Sequence, residues 1–261
     1  MKKTIHYCWF GKGELPNSAI KCIDSWKKFC PDYEIMEWNE ENFDINQCEY
    51  SKGAYLSKKY AFVSDYARFK ILFQYGGIYL DTDVEIIASI DDIVKKGPFM
   101  GMENNYAVAP GLGIGAEPQM EIIEEFVKLY ENITFENPDT SSNIKTIVDY
   151  TTEIFKKYGL KKKEEIQFIK GIYIYPKEFF CPKNVDTGEI AITENTKTIH
   201  HYDASWFSDC EKYAQLLKKK IVKILPKKWA GRVAYFFAQC KYIGLKKTIK
   251  NTFRKLKKRK G

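Results

Sequence analysis

Short apolar runs alternate with longer amphipathic stretches along the chain, and this rhythm predicts strands alternating with helices. TIHYCWF, Thr4 to Phe10, reads as a buried strand closed by the turn Gly11-Lys12-Gly13. Pro16 and Asn17 then open a helix with Ile20, Ile23, Trp26 and Phe29 on one side. YEIMEW, Tyr33 to Trp38, is a second strand, and residues 39–58 read as a polar mixture of helix and loop. Lys59 to Tyr75 is a strong helix, stopped by Gly76-Gly77. GIYL carries the chain as a strand to Asp81, VEIIASI follows as a short strand, and GPFMGM as another. After the glycine-rich segment Ala109 to Pro118 come a helix from Pro118 to Tyr130, a polar loop over 134–143 and a helix over 144–158. IYIYP and KTIHHY are late strands, and from Ala214 the pattern is basic and helical, interrupted at Pro226. The fold class this predicts is α/β with a mainly parallel central sheet.

Charge divides the chain more sharply than hydropathy does. The 261 residues and 44% apolar content suit one large domain, or one with an appendage. The net charge of +8 is the sum of two unlike parts. Glu211 is the last acidic residue; 18 Lys and Arg follow it, and the remainder carries 24 Lys and Arg against 34 Asp and Glu. An acidic body over residues 1–211 and a basic amphipathic tail over 212–261 are therefore expected. The tail interleaves lysines with Ile, Leu, Trp and Phe, a pattern suited to an anionic membrane surface and poorly suited to nucleic acid. Seven scattered cysteines with no CxxC pair argue against a zinc ribbon, a thioredoxin-like site or a disulfide framework. Reduced thiols in a cytoplasmic protein are expected. The N-terminal apolar run is broken by His6 and ends by Gly11, too short for a signal-peptide core. No apolar stretch reaches the ~18 residues of a membrane span.

Chemistry gathers at Asp81-Thr82-Asp83. In extended backbone, residues i and i+2 point the same way. Two such carboxylates either sit in a solvated turn or meet one hard divalent cation, Mn²⁺ or Mg²⁺. Their position past the end of an apolar strand is where open α/β sheets bind ligands. On the preceding helix, Ser64, Asp65 and Arg68 share one side. They form either an ordinary i,i+3 ion pair or a site for hydroxyls and a diphosphate. His200 and His201, two of the three histidines, end a predicted strand, where an imidazole can complete an oxygen-rich metal site. A structural histidine pair is the plainer alternative.

Three stretches, IHYCWFG, FVSDYARFKILFQYGGIYLDTDVE and IHHYDASW, resemble in that order the motifs of DXD-containing sugar transferases of glycosyltransferase family 32. That family comprises capsule- and lipopolysaccharide-associated enzymes related to yeast initiating α-1,6-mannosyltransferases, and the glucosylating domains of large clostridial toxins share a similar core. The resemblance runs over roughly residues 4–206. It implies a GT-A, Rossmann-like fold and a retaining, metal-dependent transfer of a hexose from a nucleotide-sugar. Asp65, Arg68, Asp81 and Asp83 would carry the chemistry. Cys8 and Trp9 would hold the base, and Tyr79 the base or ribose. Ser64, Asp65 and Arg68 would hold the donor sugar and phosphates. Asp81 would reach ribose or sugar, and Ser205 and Trp206 would close over the diphosphate. Asp81, Asp83 and His200, with His201 as second choice, would ligate Mn²⁺ or Mg²⁺. The implied donor is a UDP-hexose ahead of GDP-mannose, the acceptor a glycan or lipid-linked oligosaccharide, and the location the inner face of the cell membrane.

One segment departs from the family pattern. Relatives often carry an asparagine near the position of APGLGIGAEP, where this chain has Gly111, Gly113 and Gly115, with Asn104 and Asn105 upstream. Glu103 and Asp149 are alternative acceptor contacts. Two rival readings are a haloacid-dehalogenase-like phosphatase, which also sets a DxD after a strand, and a non-catalytic nucleotide-sugar-binding protein. Glu85 stands where such a phosphatase usually has Thr or Val.

Overall fold

The first strand, β1 (Thr4–Cys8), lies one in from an edge of the main sheet and is hydrogen-bonded in parallel on both sides, to β2 (Glu34–Trp38) and to β3 (Gly77–Tyr79). The computed structural model describes residues 1–137, 145–184, 187–203, 209–222 and 224–249. It divides into two units, Met1–Lys183 with Ala191–Tyr202, and Asn184–Ile190 with Asp203–Gly261.

In the first unit, α1 (Asn17–Phe29) crosses from β1 to β2. The chain then returns through α2 (Glu49–Leu56) and α3 (Tyr60–Tyr75) to β3 on the other side of β1. The strand order thus reverses at β1, and a crevice opens beyond the carboxyl ends of β1 and β3. After β3 come β4 (Val84–Ile86), α4 (Asp91–Lys96), β5 (Phe99–Gly101), β6 (Ile114–Ala116), α5 (Glu121–Glu131) and α6 (Ile147–Lys157). Then follow β7 (Gln167–Ile169), β8 (Ile172–Tyr175), α7 (Lys177–Phe180) and β9 (Thr198–His200). The main sheet has the order β2-β1-β3-β6-β5-β8-β7, and β4 with β9 forms a separate antiparallel pair. Three pairings of the main sheet are parallel, β1–β2, β1–β3 and β5–β8; those of β6 and β7 are antiparallel. The sheet is therefore mixed, and its parallel character is strongest beneath the crevice.

Strand periodicity sorts side chains between two cores. Ile5, Tyr7, Ile78 and Leu80 pack with Trp26 of α1, Val84, Ile86 and Phe180. Cys8 and Tyr79 face the opposite way, into a core built on α3, α5 and α6 with Phe69, Phe126 and Phe155. The helix α1 also holds β4 in place, since Trp26 Nε1 donates to the Val84 carbonyl at 2.7 Å and Ser25 Oγ accepts from Ile86 N at 2.9 Å.

The two glycines after α3 are each required by sterics. Gly76 and Gly77 have φ of +64° and +93°, in the left-handed region. A Cβ on Gly76 would meet the Pro118 ring at 2.7 Å, and one on Gly77 the Thr4 carbonyl at 2.8 Å. This tight turn also captures His6. His6 Nε2 lies 3.0 Å from the Gly76 carbonyl, and Trp38 Nε1 donates to His6 Nδ1 at 3.1 Å. An indole can only donate, so Nδ1 must accept and the ring must stay neutral. Burial, with 1% of the residue exposed, pushes its pKa down to about 4.

A pH dependence follows. The unfolded chain takes up this proton near pH 6.5 and the folded chain only near 4. Stability attached to His6 is therefore complete above pH 6.5 and is lost as pH falls towards 4, by about 3 kcal/mol. Urea midpoints at pH 7 and pH 4.5 are expected to differ more for the wild-type chain than for His6→Gln. Equal differences for the two proteins would exclude His6 as the source.

The second unit contains α8 (Asp209–Ile221) and α9 (Lys227–Ile243). These helices lie antiparallel, with the Tyr213 ring 6.0 Å from Tyr242. Ala230, Ala234 and Ala238, four apart on α9, are buried, as is Ala214 of α8; small side chains at helical spacing let the two backbones approach. Leu216, Ile224, Trp229 and Phe237 remain exposed. Among the described residues, no helix is long and apolar enough to cross a membrane.

Short elements escaped the sequence pattern. α4 is too short to display a period, and β7 and α7 are shorter still. β6 is Ile-Gly-Ala, weak in strand propensity, yet it pairs on both sides. Gly115 lies directly against the Phe99 ring of β5, leaving no room for a side chain.

Candidate active site

The site lies at the crevice end of β3, where the chain passes from Tyr79 through Leu80 to Asp81. Tyr79 and Asp81 point to the same side, and the Tyr79 hydroxyl donates to Asp81 Oδ1 at 3.1 Å. Facing them from α3 is Arg68. Its Nη2 is 3.2 Å from both Asp81 Oδ1 and Asp65 Oδ1, and its Nη1 donates to Asp81 Oδ2 at 3.4 Å. Arg68 Nε donates to the Ser64 carbonyl at 2.9 Å, and the guanidinium lies 4.8 Å from the centre of the Tyr79 ring.

Two residues expected at the donor are turned inward in this arrangement. Arg68, expected at the donor phosphates, is 3% exposed and turns its fork towards Asp81. Tyr79, expected at base or ribose, is 1% exposed and lies beneath the guanidinium. As arranged, both hold Asp81 in position. Ser64 is likewise turned inward, its hydroxyl donating to the Tyr60 carbonyl at 3.3 Å. Cys8 is buried beneath the same cluster, and burial pushes its thiol pKa up to about 12. Trp9, at the end of β1, is partly exposed, its indole donating to the Gly13 carbonyl at 2.6 Å. Ser205 and Trp206 lie outside the described residues.

The antiparallel β4–β9 pair brings the distant histidines to the carboxylates. Val84 is the register partner of His200, and His201 N donates to the Asp83 carbonyl at 2.9 Å. His200 Nε2 lies 3.0 Å from Asp83 Oδ1. Asp81, Asp83 and His200 each offer an atom within 4.8 Å of the others. His201, the second-choice ligand, is directed elsewhere: its Nε2 is 2.8 Å from Glu85 Oε2. Successive strand residues face opposite sides, so only one of the two histidines can reach the pair.

The electrostatics favour a cation. Burial raises the Asp65 pKa to about 7, although Arg68 draws it back. Burial likewise raises Asp81; Arg68 opposes this and Asp83 adds to it. For His200, burial disfavours the charged ring, but the adjacent Asp83 carboxylate outweighs burial and the pKa rises. The Arg68 guanidinium thus contacts two carboxylates, Asp65 and Asp81, while a third, Asp83, lies against His200. His200 Nδ1 is buried and, among the described residues, has no hydrogen-bond partner. Two hard carboxylates and an imidazole with an unsatisfied nitrogen fit Mn²⁺ or Mg²⁺.

A loop and a tyrosine complete the surroundings. Gly111, in the short turn Pro110–Leu112, lies so close to Asp81 Oδ2 that any Cβ would strike the carboxylate. Its carbonyl accepts from Asp81 N at 3.3 Å. The glycine that replaces the family pattern here is thus required by proximity to Asp81. Tyr202, which the sequence reading did not single out, has a left-handed φ of +57°. Its ring is 4.1 Å from His200, and its hydroxyl contacts Cys181 Sγ at 2.9 Å and donates to Glu103 Oε2 at 3.3 Å. Glu103 therefore lies beside the cluster, its pKa raised by burial. Asp149 instead caps α6, accepting from Thr146 N at 2.9 Å. The position of Tyr202 directly after the histidine pair was the available signal.

Residues 16–100 match the family described as glycosyltransferase sugar-binding region containing DXD motif. This segment is similar to that DXD sugar-binding region. It takes in α3, β3 and both aspartates of the motif. Inositol phosphoceramide mannosyltransferase 3 of Schizosaccharomyces pombe is 31% identical over 113 residues, 40% of this chain and 32% of that protein. The matched part is thus about a third of that relative's length. An uncharacterized glycosyltransferase of Acanthamoeba polyphaga mimivirus is 27% identical over 192 residues, 69% of this chain and 75% of its own. The solved galactosyltransferase LgtC, in complex with donor and acceptor sugar analogs, overlays at a TM-score of 0.42 with 12% identity over 87% of this chain and 99% of that one, too loosely for anything further to follow.

Proposed function

We propose that the protein is a retaining, metal-dependent glycosyltransferase of GT-A type. It moves a hexose from a nucleotide-sugar, a UDP-sugar ahead of GDP-mannose, to a glycan acceptor on a lipid-linked surface-polysaccharide precursor. The observation that carries this reading is the convergence of Asp81, Asp83 and His200 at the carboxyl end of β3, inside a DXD sugar-binding region. These three residues would hold Mn²⁺ or Mg²⁺, which when bound supplies positive charge to the departing diphosphate. Arg68 and Tyr79 hold the Asp81 carboxylate, so its orientation needs no rearrangement during reaction. Trp9, partly exposed at the end of β1, is the residue proposed to stack on the base. Attack by the acceptor hydroxyl on the face the diphosphate leaves would retain the anomeric configuration. The clamp on Asp81 weighs against a phosphatase, which needs its first aspartate free as a nucleophile.

The basic helices of the tail are proposed to rest on the anionic inner face of the cell membrane. Liposome co-sedimentation of the full chain against a 1–211 truncation tests this, and equal binding by the two would refute it. The transferase reading is tested by hydrolysis of UDP- and GDP-sugars with Mn²⁺, before and after EDTA. Metal-dependent release of the nucleoside diphosphate from at least one donor is expected. No turnover, together with no metal-dependent nucleotide binding, would overturn it.

A further inference from the structure

A cavity of about 450 Å³, lined by residues of α2, α3 and α6 and the segment after α5, takes no part in the chemistry described so far. Its floor is Tyr50 of α2 and Phe62 of α3, its wall Tyr150 of α6, and its rim Asn132, Glu136 and Lys145. The topology puts it at the crevice end of the sheet. A helix leading into a strand starts at that strand's carboxyl end, so the first turns of α3 lie beside Asp81. Phe62 is one helical turn before Asp65. The helix α6 packs on the Pro110–Leu112 turn, which carries Gly111 against Asp81. Burial raises the Tyr50 hydroxyl pKa, and the Asp65 carboxylate raises it further, so the cavity floor lies within electrostatic reach of the donor-side cluster.

The lining has the two chemistries a pyranose ring presents. Aromatic faces suit its C–H surface, and an amide, a carboxylate and an ammonium suit its hydroxyls. Tyr50 and Tyr150 are backed by Tyr130, whose ring centre is 4.8 Å from the first and 6.0 Å from the second. Such backing holds the platforms rigid, and rigid aromatics lose little entropy on binding. Lys145 is held 2.8 Å from Glu153 and stands 5.6 Å from the Tyr150 ring centre, closing one side. The volume falls in the range of small-ligand sites, about 300–1,000 Å³.

We propose that this cavity is the acceptor subsite, in which a hexose ring of the acceptor glycan stacks on the Tyr150 wall and hydrogen-bonds the Asn132, Glu136 and Lys145 rim. The inference rests on the transferase reading, so its test separates the two. Saturation-transfer NMR uses methyl α- and β-glycosides of glucose, galactose and mannose at millimolar concentration, with no donor present. At least one is expected to receive saturation from the wild-type protein, to lose the signal in Tyr150→Ala, and to retain it in Tyr150→Phe, which keeps the ring. The same glycoside as acceptor is expected to show a KM about tenfold higher with Tyr150→Ala. Hydrolysis of the nucleotide-sugar by the wild-type protein, in which water replaces the acceptor, reads out the transferase activity separately. Failure of every glycoside to bind the wild-type protein, or undiminished binding by Tyr150→Ala, overturns the subsite. Absence of donor hydrolysis in the wild type overturns the transferase reading, whatever the glycosides do.

Discussion

Asp83→Asn is expected to abolish Mn²⁺-dependent nucleotide-sugar binding and to lower turnover by about a thousandfold, with the fold intact. The substitution keeps the shape of the side chain and removes its charge. Asp83 is the carboxylate of the trio that faces His200, at 3.0 Å across the β4–β9 pair. An amide is a poor ligand for a hard cation, and it leaves Asp81 as the only carboxylate of the trio. The side chain is one-fifth exposed, so stability should change by less than about 1 kcal/mol. Calorimetric titration of a UDP-sugar with and without Mn²⁺, alongside thermal unfolding, separates the two effects. Donor affinity that survives the change would mean the metal is held elsewhere.

Arg68→Met is expected to act in the opposite way, through the fold first. Among the described residues, the guanidinium is the one positive group in contact with both Asp65 and Asp81. Its removal leaves two carboxylates in a buried site without their partner, a loss of about 3–5 kcal/mol. Asp65 would then protonate more readily, because burial remains while the attraction that lowers its pKa is gone. A carboxyl whose folded pKa is raised stabilises the fold at low pH and loses that contribution as pH climbs through the raised value. The stability gap between Arg68→Met and wild type should therefore be smaller at pH 5 than at pH 8. Comparison against wild type at each pH cancels the His6 contribution, which runs the other way. A gap that is absent, or that widens in acid, would show that the guanidinium does not neutralise these aspartates.

The two variants probe different layers of one site. Asp83 belongs to the proposed ligand set, whereas Arg68 and Tyr79 lie under it. The family resemblance implied that Ser64, Asp65, Arg68, Tyr79, Asp81 and Asp83 are all presented to a ligand. Helical periodicity put Ser64, Asp65 and Arg68 together on one side of α3, and they do cluster. Periodicity says nothing about whether that side faces solvent or another element. Here it faces β3, so the Arg68 fork meets Asp81 and the guanidinium covers Tyr79. Gly111 could not be assigned from its neighbours, because the carboxylate that excludes its Cβ is thirty residues earlier in the chain.

What the sequence by itself determined is the set of local elements and the chemistry they carry. The main helices and most strands followed from hydrophobic period, from proline and glycine stops, and from the positive-φ turn at Gly76-Gly77. The aspartate pair beyond an apolar strand and the basic tail were equally legible. What only the tertiary structure decided is which of these groups meet. The β4–β9 register set His200 beside Asp83 and His201 beside Glu85, and the packing of α3 on β3 turned Arg68 and Tyr79 inward. The glycine-rich turn closed on Asp81, and residues of α2, α3, α6 and the segment after α5 came together to line a cavity. The physical reason is one of range. Local preference acts over a helical turn or a strand repeat, whereas ligand sets and cavities arise from contacts between segments as much as 117 residues apart.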